Sequence, residues 1–168
     1  MDHMTTIDIA TQVVVVLDTL NIEYELLECD SDFADTAAFC EKYGYPVENC
    51  GNAIVVASKR EPVQFAACIV KGTTRLDVNK TVRKLMGVPK ASFASPEQTV
   101  ALTGMMIGGV TPFALPSELP IYVDEKLMTL DYVILGSGSR SSKIKINPRV
   151  FDLIPNAQVV IGLSKEPA

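Results

Sequence analysis

Histidine is almost missing from this chain: the single copy is His3, among the first few residues. That scarcity sets aside Ser-His-Asp and Cys-His nucleophile pairs and histidine-held metals, which all need an imidazole beside the reacting group. The four cysteines, Cys29, Cys40, Cys50 and Cys68, include no C-x-x-C pair, so zinc-site spacing is absent as well. No acidic pair stands at a spacing that argues for a metal, and Asp124-Glu125 reads as a turn or cap at a strand end. There is no uninterrupted apolar run of about 18 residues, the length a helix needs to span a bilayer. Val13–Leu17 is too short and lacks a basic stretch before it, so it does not make a signal peptide. The thiols read as reduced and mostly buried, in a cytoplasmic protein that needs neither cofactor nor metal.

What is present suits one domain with a full core over 1–168: 168 residues, 48% of them hydrophobic. Met1-Asp2-His3-Met4 reads as a start or cloning remnant, with residues 1–6 disordered or foreign to the fold. Near-helical spacing of Ile9, Val13, Val16, Leu17 and Leu20 predicts a helix over 7–20, although four successive valines suit a strand equally. A short strand follows at 24–27, and Asp35-Thr36 opens a helix that Gly44 ends. Residues 52–57 and 63–70 read as a hairpin about the turn Lys59-Arg60-Glu61-Pro62. Asp77 caps a helix to Met86, ended by Gly87, and 91–94 is extended. Ser95-Pro96-Glu97-Gln98 is a capping box with proline at the first helical position, starting a helix to Thr103. Strands are expected at 120–124, 132–135, 143–146 and 158–161, with a short helix from Pro148 to Leu153. In 143–146 the isoleucines alternate with Lys143 and Lys145, which predicts one wet face. The order gives an α+β class with a mixed or mostly antiparallel sheet, because βαβ alternation is not sustained.

The net charge of −5 hides an uneven distribution. Residues 1–51 hold eleven acids and one base, Lys42, while the remainder holds fourteen bases against nine acids. Lys71, Arg75, Lys80, Arg83, Lys84 and Lys90 face only Asp77 within 71–90, and Arg140, Lys143, Lys145 and Arg149 face no acid within 136–150. Such stretches are candidates for an anionic partner, or solvated faces of a helix and a hairpin.

The stretch Thr103–Pro116 carries three of the ten glycines and two of the ten prolines, without a charge. Glycine allows positive φ or close backbone approach, and proline fixes φ, so this loop is either buried against the body or shaped for a ligand. Gly136-Ser137-Gly138 follows a strand, but position 141 is serine and a strand comes next, which argues against a dinucleotide fingerprint. As a hairpin turn it would offer N–H groups, hydroxyls and Arg140 to a phosphate or carboxylate. A catalyst built from this inventory must rely on backbone amides, hydroxyls, positioned water or the substrate's own groups.

The order of these pieces resembles the YbaK/prolyl-tRNA-synthetase-associated domain family over about 7–162. The pieces are the 52–57 strand, Thr74-Arg75-Leu76-Asp77-Val78-Asn79-Lys80 with Gly87, and Ala94-Ser95-Pro96-Glu97. Thr103-Gly104, Gly108-Gly109-Val110-Thr111-Pro112, Val123-Asp124-Glu125, Gly136-Ser137-Gly138 and Ile144-Lys145-Ile146-Asn147-Pro148 complete the set. The resemblance implies a mixed, barrel-like sheet with helices, and free-standing hydrolysis of a mischarged aminoacyl-tRNA, chiefly tRNA(Pro). It implies the tRNA acceptor end as partner, with a tRNA synthetase alongside, and neither membrane nor DNA. Carried over, Gly108 and Gly109 would contact the aminoacyl ester, with Thr111, Pro112, Gly136, Ser137 and Gly138 around the pocket. Lys71, Arg75, Lys80, Arg83, Lys84, Arg140 and Lys143 would be candidates for tRNA phosphates. Deacylating members usually carry a lysine at the start of the strand matched by 52–57, and here that position is Asn52. Two readings follow: a deacylase in which Asn52 helps place the ester for a positioned water, or a member that kept the pocket without the chemistry and binds tRNA or a small ligand.

Overall fold

The computed structural model describes residues 8–166; His3 and the 1–6 start lie outside them. Helix α1 (Ile9–Leu20) begins where the Asp8 carboxylate accepts from the Thr11 N–H at 2.8 Å and ends at Asn21 in the left-handed region. Its valines are helical because Val13 and Leu17 bury one stripe against the core. Strand β1 (Tyr24–Glu28) and helix α2 (Thr36–Tyr43), closed by left-handed Gly44, follow. The hairpin pairs β2 (Gly51–Ser58) with β3 (Phe65–Lys71), Gly51 opposite Lys71. After β4 (Arg75–Leu76), a π-helical turn at Val78–Val82 leads into α3 (Arg83–Met86), which Gly87 ends. Strand β5 (Ala91–Phe93) precedes α4 (Pro96–Thr103). The capping box forms as the sequence predicts: Gln98 N–H donates to Ser95 Oγ at 3.0 Å and Ser95 N–H to Gln98 Oε1 at 2.9 Å. The remaining strands are β6 (Ile121–Asp124), β7 (Val133–Gly136), β8 (Ser142–Ile146), β9 (Ala157–Val160) and β10 (Ser164–Lys165).

Three sheets result. The largest runs β5-β2-β3-β6-β9, antiparallel within the hairpin and parallel from β3 through β6 to β9. A second, antiparallel sheet runs β1-β8-β7, and β4 pairs with β10 in a third. The class is α+β with a mixed sheet, and the three sheets do not close into one barrel. Strand β3 is buried on both faces. Ala67 and Ile69 join the main core with Val13, Leu17, Phe113 and Ile144, while Ala66, Cys68 and Val70 join a second core with Val82 and Leu163.

The short helix expected at 148–153 forms as a 3-10 helix, Pro148–Leu153, capped by Asn147. One expectation needs correction. The face of β8 expected to be wet is covered: Lys143 is buried, and its ammonium lies 5.9 Å from the Phe39 ring of α2. Lys145 on the same face lies over Tyr132 and Tyr45. The cause is the sheet order, which puts β8 in the middle with α2 packed across it.

Candidate active site

The two larger sheets meet where β2 begins. Cys50 forms an isolated parallel bridge with Ile134 of β7, and a cavity of about 200 Å³ opens at this joint. Its floor comes from Gly51–Ile54 and from Ile134–Gly136. Ala34, Asp35, Thr36 and Phe39 close one side, Ile107, Gly108 and Val110 the top, and Lys143 enters from β8.

The loop over the cavity is tied down through successive carbonyls. Arg140 Nη1 donates to the Ile107 oxygen at 2.7 Å, and Lys143 Nζ to the Gly108 oxygen at 2.9 Å. Arg140 also reaches Asp35 Oδ1 at 3.3 Å and the Ser31 carbonyl at 2.9 Å, so one guanidinium joins three segments. Gly108 has φ +93°, a conformation that glycine adopts without strain. Gly109 turns away from the cavity: its N–H donates to the Met106 oxygen at 2.8 Å and its carbonyl accepts from the Gly138 N–H at 2.7 Å. Gly136 lets the two loops cross, since a Cβ there would lie 2.3 Å from the Val110 oxygen.

Inside the cavity, the Thr36 hydroxyl donates to Asn52 Oδ1, which leaves Nδ2 as the end of the amide free to meet a ligand. Lys143 has no ion pair among the described residues, and burial holds its ammonium below the usual lysine range. The neighbouring Cys29, Cys50 and Asp35 oppose that shift, while Arg140 adds to it. Burial raises the Cys50 thiol, aided by its hydrogen bond with Cys40, so this cavity-lining thiol is held neutral and is a poor nucleophile. No cluster of three or more His, Cys, Asp or Glu that could hold a metal ion occurs among the described residues.

The model of the aminoacyl-tRNA editing domain matches residues 30–153, a stretch that contains every residue lining the cavity. The chain belongs to the aminoacyl-tRNA editing domain family. It is 27% identical over 146 residues to "Uncharacterized protein YwhH" of Bacillus subtilis (strain 168), covering 87% of this chain and 90% of that protein. It is 26% identical over 113 residues to "Putative Cys-tRNA(Pro)/Cys-tRNA(Cys) deacylase EbsC" of Enterococcus faecalis (strain ATCC 700802 / V583), covering 67% of this chain and 66% of that protein. A solved structure described as "a putative trans-editing enzyme for prolyl tRNA synthetase" superposes with TM-score 0.79 at 26% identity, over 97% of this chain and all of that one. The fold of "hypothetical protein APE2540" is also similar, with TM-score 0.81 at 23% identity, over 92% and 99%.

Within this editing domain the site residues expected from sequence separate into groups. Asn52, Gly108 and Gly136 meet at the cavity, and Lys143 joins them. Gly109 and Gly138 lie where the two loops touch each other and α1. Ser137 is buried, its hydroxyl bonded to Ser142 at the start of β8. Thr111 is fully buried, and its hydroxyl has no partner among the described residues. Pro112 is buried beside it and does not line the cavity. Arg75, Lys80 and Lys84 are exposed on β4 and the 78–86 helix, with Lys71 half-buried at the end of β3. Arg83 is half-buried, bonding the Asn79 and Val88 carbonyls. Sequence reasoning missed Thr36, which orients the Asn52 amide, and the inward course of Lys143. As a helix-start residue Thr36 reads as a cap, and nothing local separates Lys143 from Lys145.

Proposed function

We propose that this editing domain is an aminoacyl-tRNA deacylase, hydrolysing the ester between a small amino acid and the 3′ end of a tRNA. The cavity beside Gly108 and Asn52 carries this reading. Its volume, about 200 Å³, has room for roughly half a dozen waters, enough for one small aminoacyl group with an attacking water. The Gly108 N–H makes no hydrogen bond among the described residues, so it is available to a developing oxyanion. Asn52 Nδ2 would hold the terminal ribose or the ester oxygen. Water attacks the ester carbonyl carbon, the tetrahedral intermediate expels the ribose oxygen, and that oxygen leaves with a proton from the water. The similarity to EbsC and to the trans-editing enzyme for prolyl tRNA synthetase supports tRNA(Pro)-type substrates. Arg75, Lys80 and Lys84, with Lys71 and Arg83, would meet acceptor-stem phosphates, while Arg140 already serves the loop.

A panel of mischarged tRNAs at neutral pH tests the reading. Protein-dependent release of one or a few amino acids is expected, and no release from any of them refutes it. The second reading, a tRNA or small-ligand binder without chemistry, rests on the uncharged Asn52. It is favoured if the wild type is silent and Asn52→Lys hydrolyses.

A further inference from the structure

Lys143 is an ammonium enclosed by protein with too few partners. It has three N–H donors, and one is used, on the Gly108 carbonyl. The residue is 7% exposed and lines the cavity. The carboxylate nearest in effect, Asp35, is already paired with Arg140. The remaining surroundings are the Phe39 ring and the thiols of Cys29 and Cys50, both of which burial keeps protonated. A buried cation without a counter-charge is costly, so its retention in a cavity calls for negative charge brought by something else. It shares the cavity wall with Gly108, whose carbonyl takes its one hydrogen bond.

We propose that Lys143 is the catalytic cation of this site, its ammonium contacting the ester carbonyl oxygen and carrying the negative charge that develops there. This rests on the deacylase reading for its substrate. The bond from water oxygen to carbonyl carbon forms, the carbonyl electron pair moves onto the oxygen beside Lys143, and it returns as the ribose oxygen leaves. Lys143 stays protonated throughout and transfers nothing. The charge absent at Asn52 is thus supplied from the facing sheet, 91 positions later in the chain. The Gly108 carbonyl orients the ammonium, so the loop and the cation are set by one hydrogen bond. The lowered lysine pKa adds a signature: the protein-dependent rate falls as pH rises through that value, below the ordinary lysine range. Cys29, Cys50, Asp35 and Arg140 are the titratable and charged groups that act on it.

The test uses the whole protein with Lys143→Met, which keeps the length and removes the charge, and Lys143→Gln as a second variant. Two adenosine probes are compared by calorimetry: a 3′ aminoalkylphosphonate ester, which mimics the charged tetrahedral state, and a neutral 3′ aminoacylamide. The wild type is expected to prefer the phosphonate, and both variants to lose about 100-fold on it while changing about threefold or less on the amide. Single-turnover deacylation should fall by about the same 100-fold in both variants, with loss of the alkaline decline. A lysine that only braced the loop would weaken both probes alike, and that result overturns the proposal. So does a phosphonate preference that is absent, or that survives in both variants, even if the wild type deacylates tRNA. If the wild type hydrolyses nothing but shows a Lys143-dependent phosphonate preference, the deacylase reading fails and the cation site stands.

Discussion

Replacing Gly136 with alanine puts a methyl group between two backbones. The new Cβ would lie 2.3 Å from the Val110 oxygen and 3.0 Å from the Gly109 carbonyl carbon and oxygen. Ordinary contact begins near 3.4 Å, so the segments must part by roughly 1 Å, and neither has a rotamer with which to yield. Overpacking of this kind costs about 1–3 kcal/mol. In a domain of this size that lowers Tm by roughly 3–10 °C. The effect on hydrolysis should be larger in proportion, because the displaced segment carries Gly108. A shift of about 1 Å in a positioning group costs on the order of 100-fold in rate. The assay is thermal melting followed by single-turnover deacylation at saturating protein. Gly87→Ala is the control. Gly87 is left-handed, with φ +68°, and its Cβ would meet nothing within 4 Å, so alanine there should lose about 1 kcal/mol and leave the rate unchanged. A Gly136→Ala protein that melts and hydrolyses like the wild type would refute the idea that the two loops are fixed by backbone contact.

Arg140→Met removes the bonds to Ile107, Asp35 and Ser31 together. We expect about 1–2 kcal/mol lower stability and faster amide hydrogen exchange over 104–110; unchanged exchange there would contradict the latch. Cys68 lies in the second core, and burial pushes its thiol up to about 12. The folded state therefore keeps a proton that the unfolded chain loses above about pH 8.5. Its contribution to stability is complete below that pH and is lost as pH rises toward 12, at about 1.4 kcal/mol per pH unit. Denaturant midpoints from pH 8 to 11 should fall less steeply for Cys68→Ala than for the wild type, and equal slopes would show that the thiol is not protected.

Features that depend on a few neighbouring residues were legible in the sequence. The capping box at Ser95, the glycine stops at 44, 87 and 104, and the hairpin of β2 and β3 all form where they were expected. Each rests on φ preferences or side-chain hydrogen bonds within about four positions. The β4–β10 pair was not legible, because Arg75–Leu76 and Ser164–Lys165 are too short to show a period and are joined across nearly ninety residues. Thr36 was hidden for a related reason: its partner Asn52 lies sixteen positions away.

The scarcity of histidine, the glycine-rich loop with its proline and the order of the family's motifs were properties of the sequence alone. They narrowed the chemistry to backbone amides and polar side chains near Gly108 and Asn52. Which glycine faces the cavity was a tertiary decision, because Gly109 spends its N–H on Met106 and leaves the wall to Gly108. The fate of the basic residues was another. Arg140 and Lys143 read in sequence as surface charge beside Lys145. Only the central place of β8, under α2 and the glycine loop, turns Lys143 inward. A two-residue period states which side chains share a face, whereas burial depends on what the rest of the chain lays across that face.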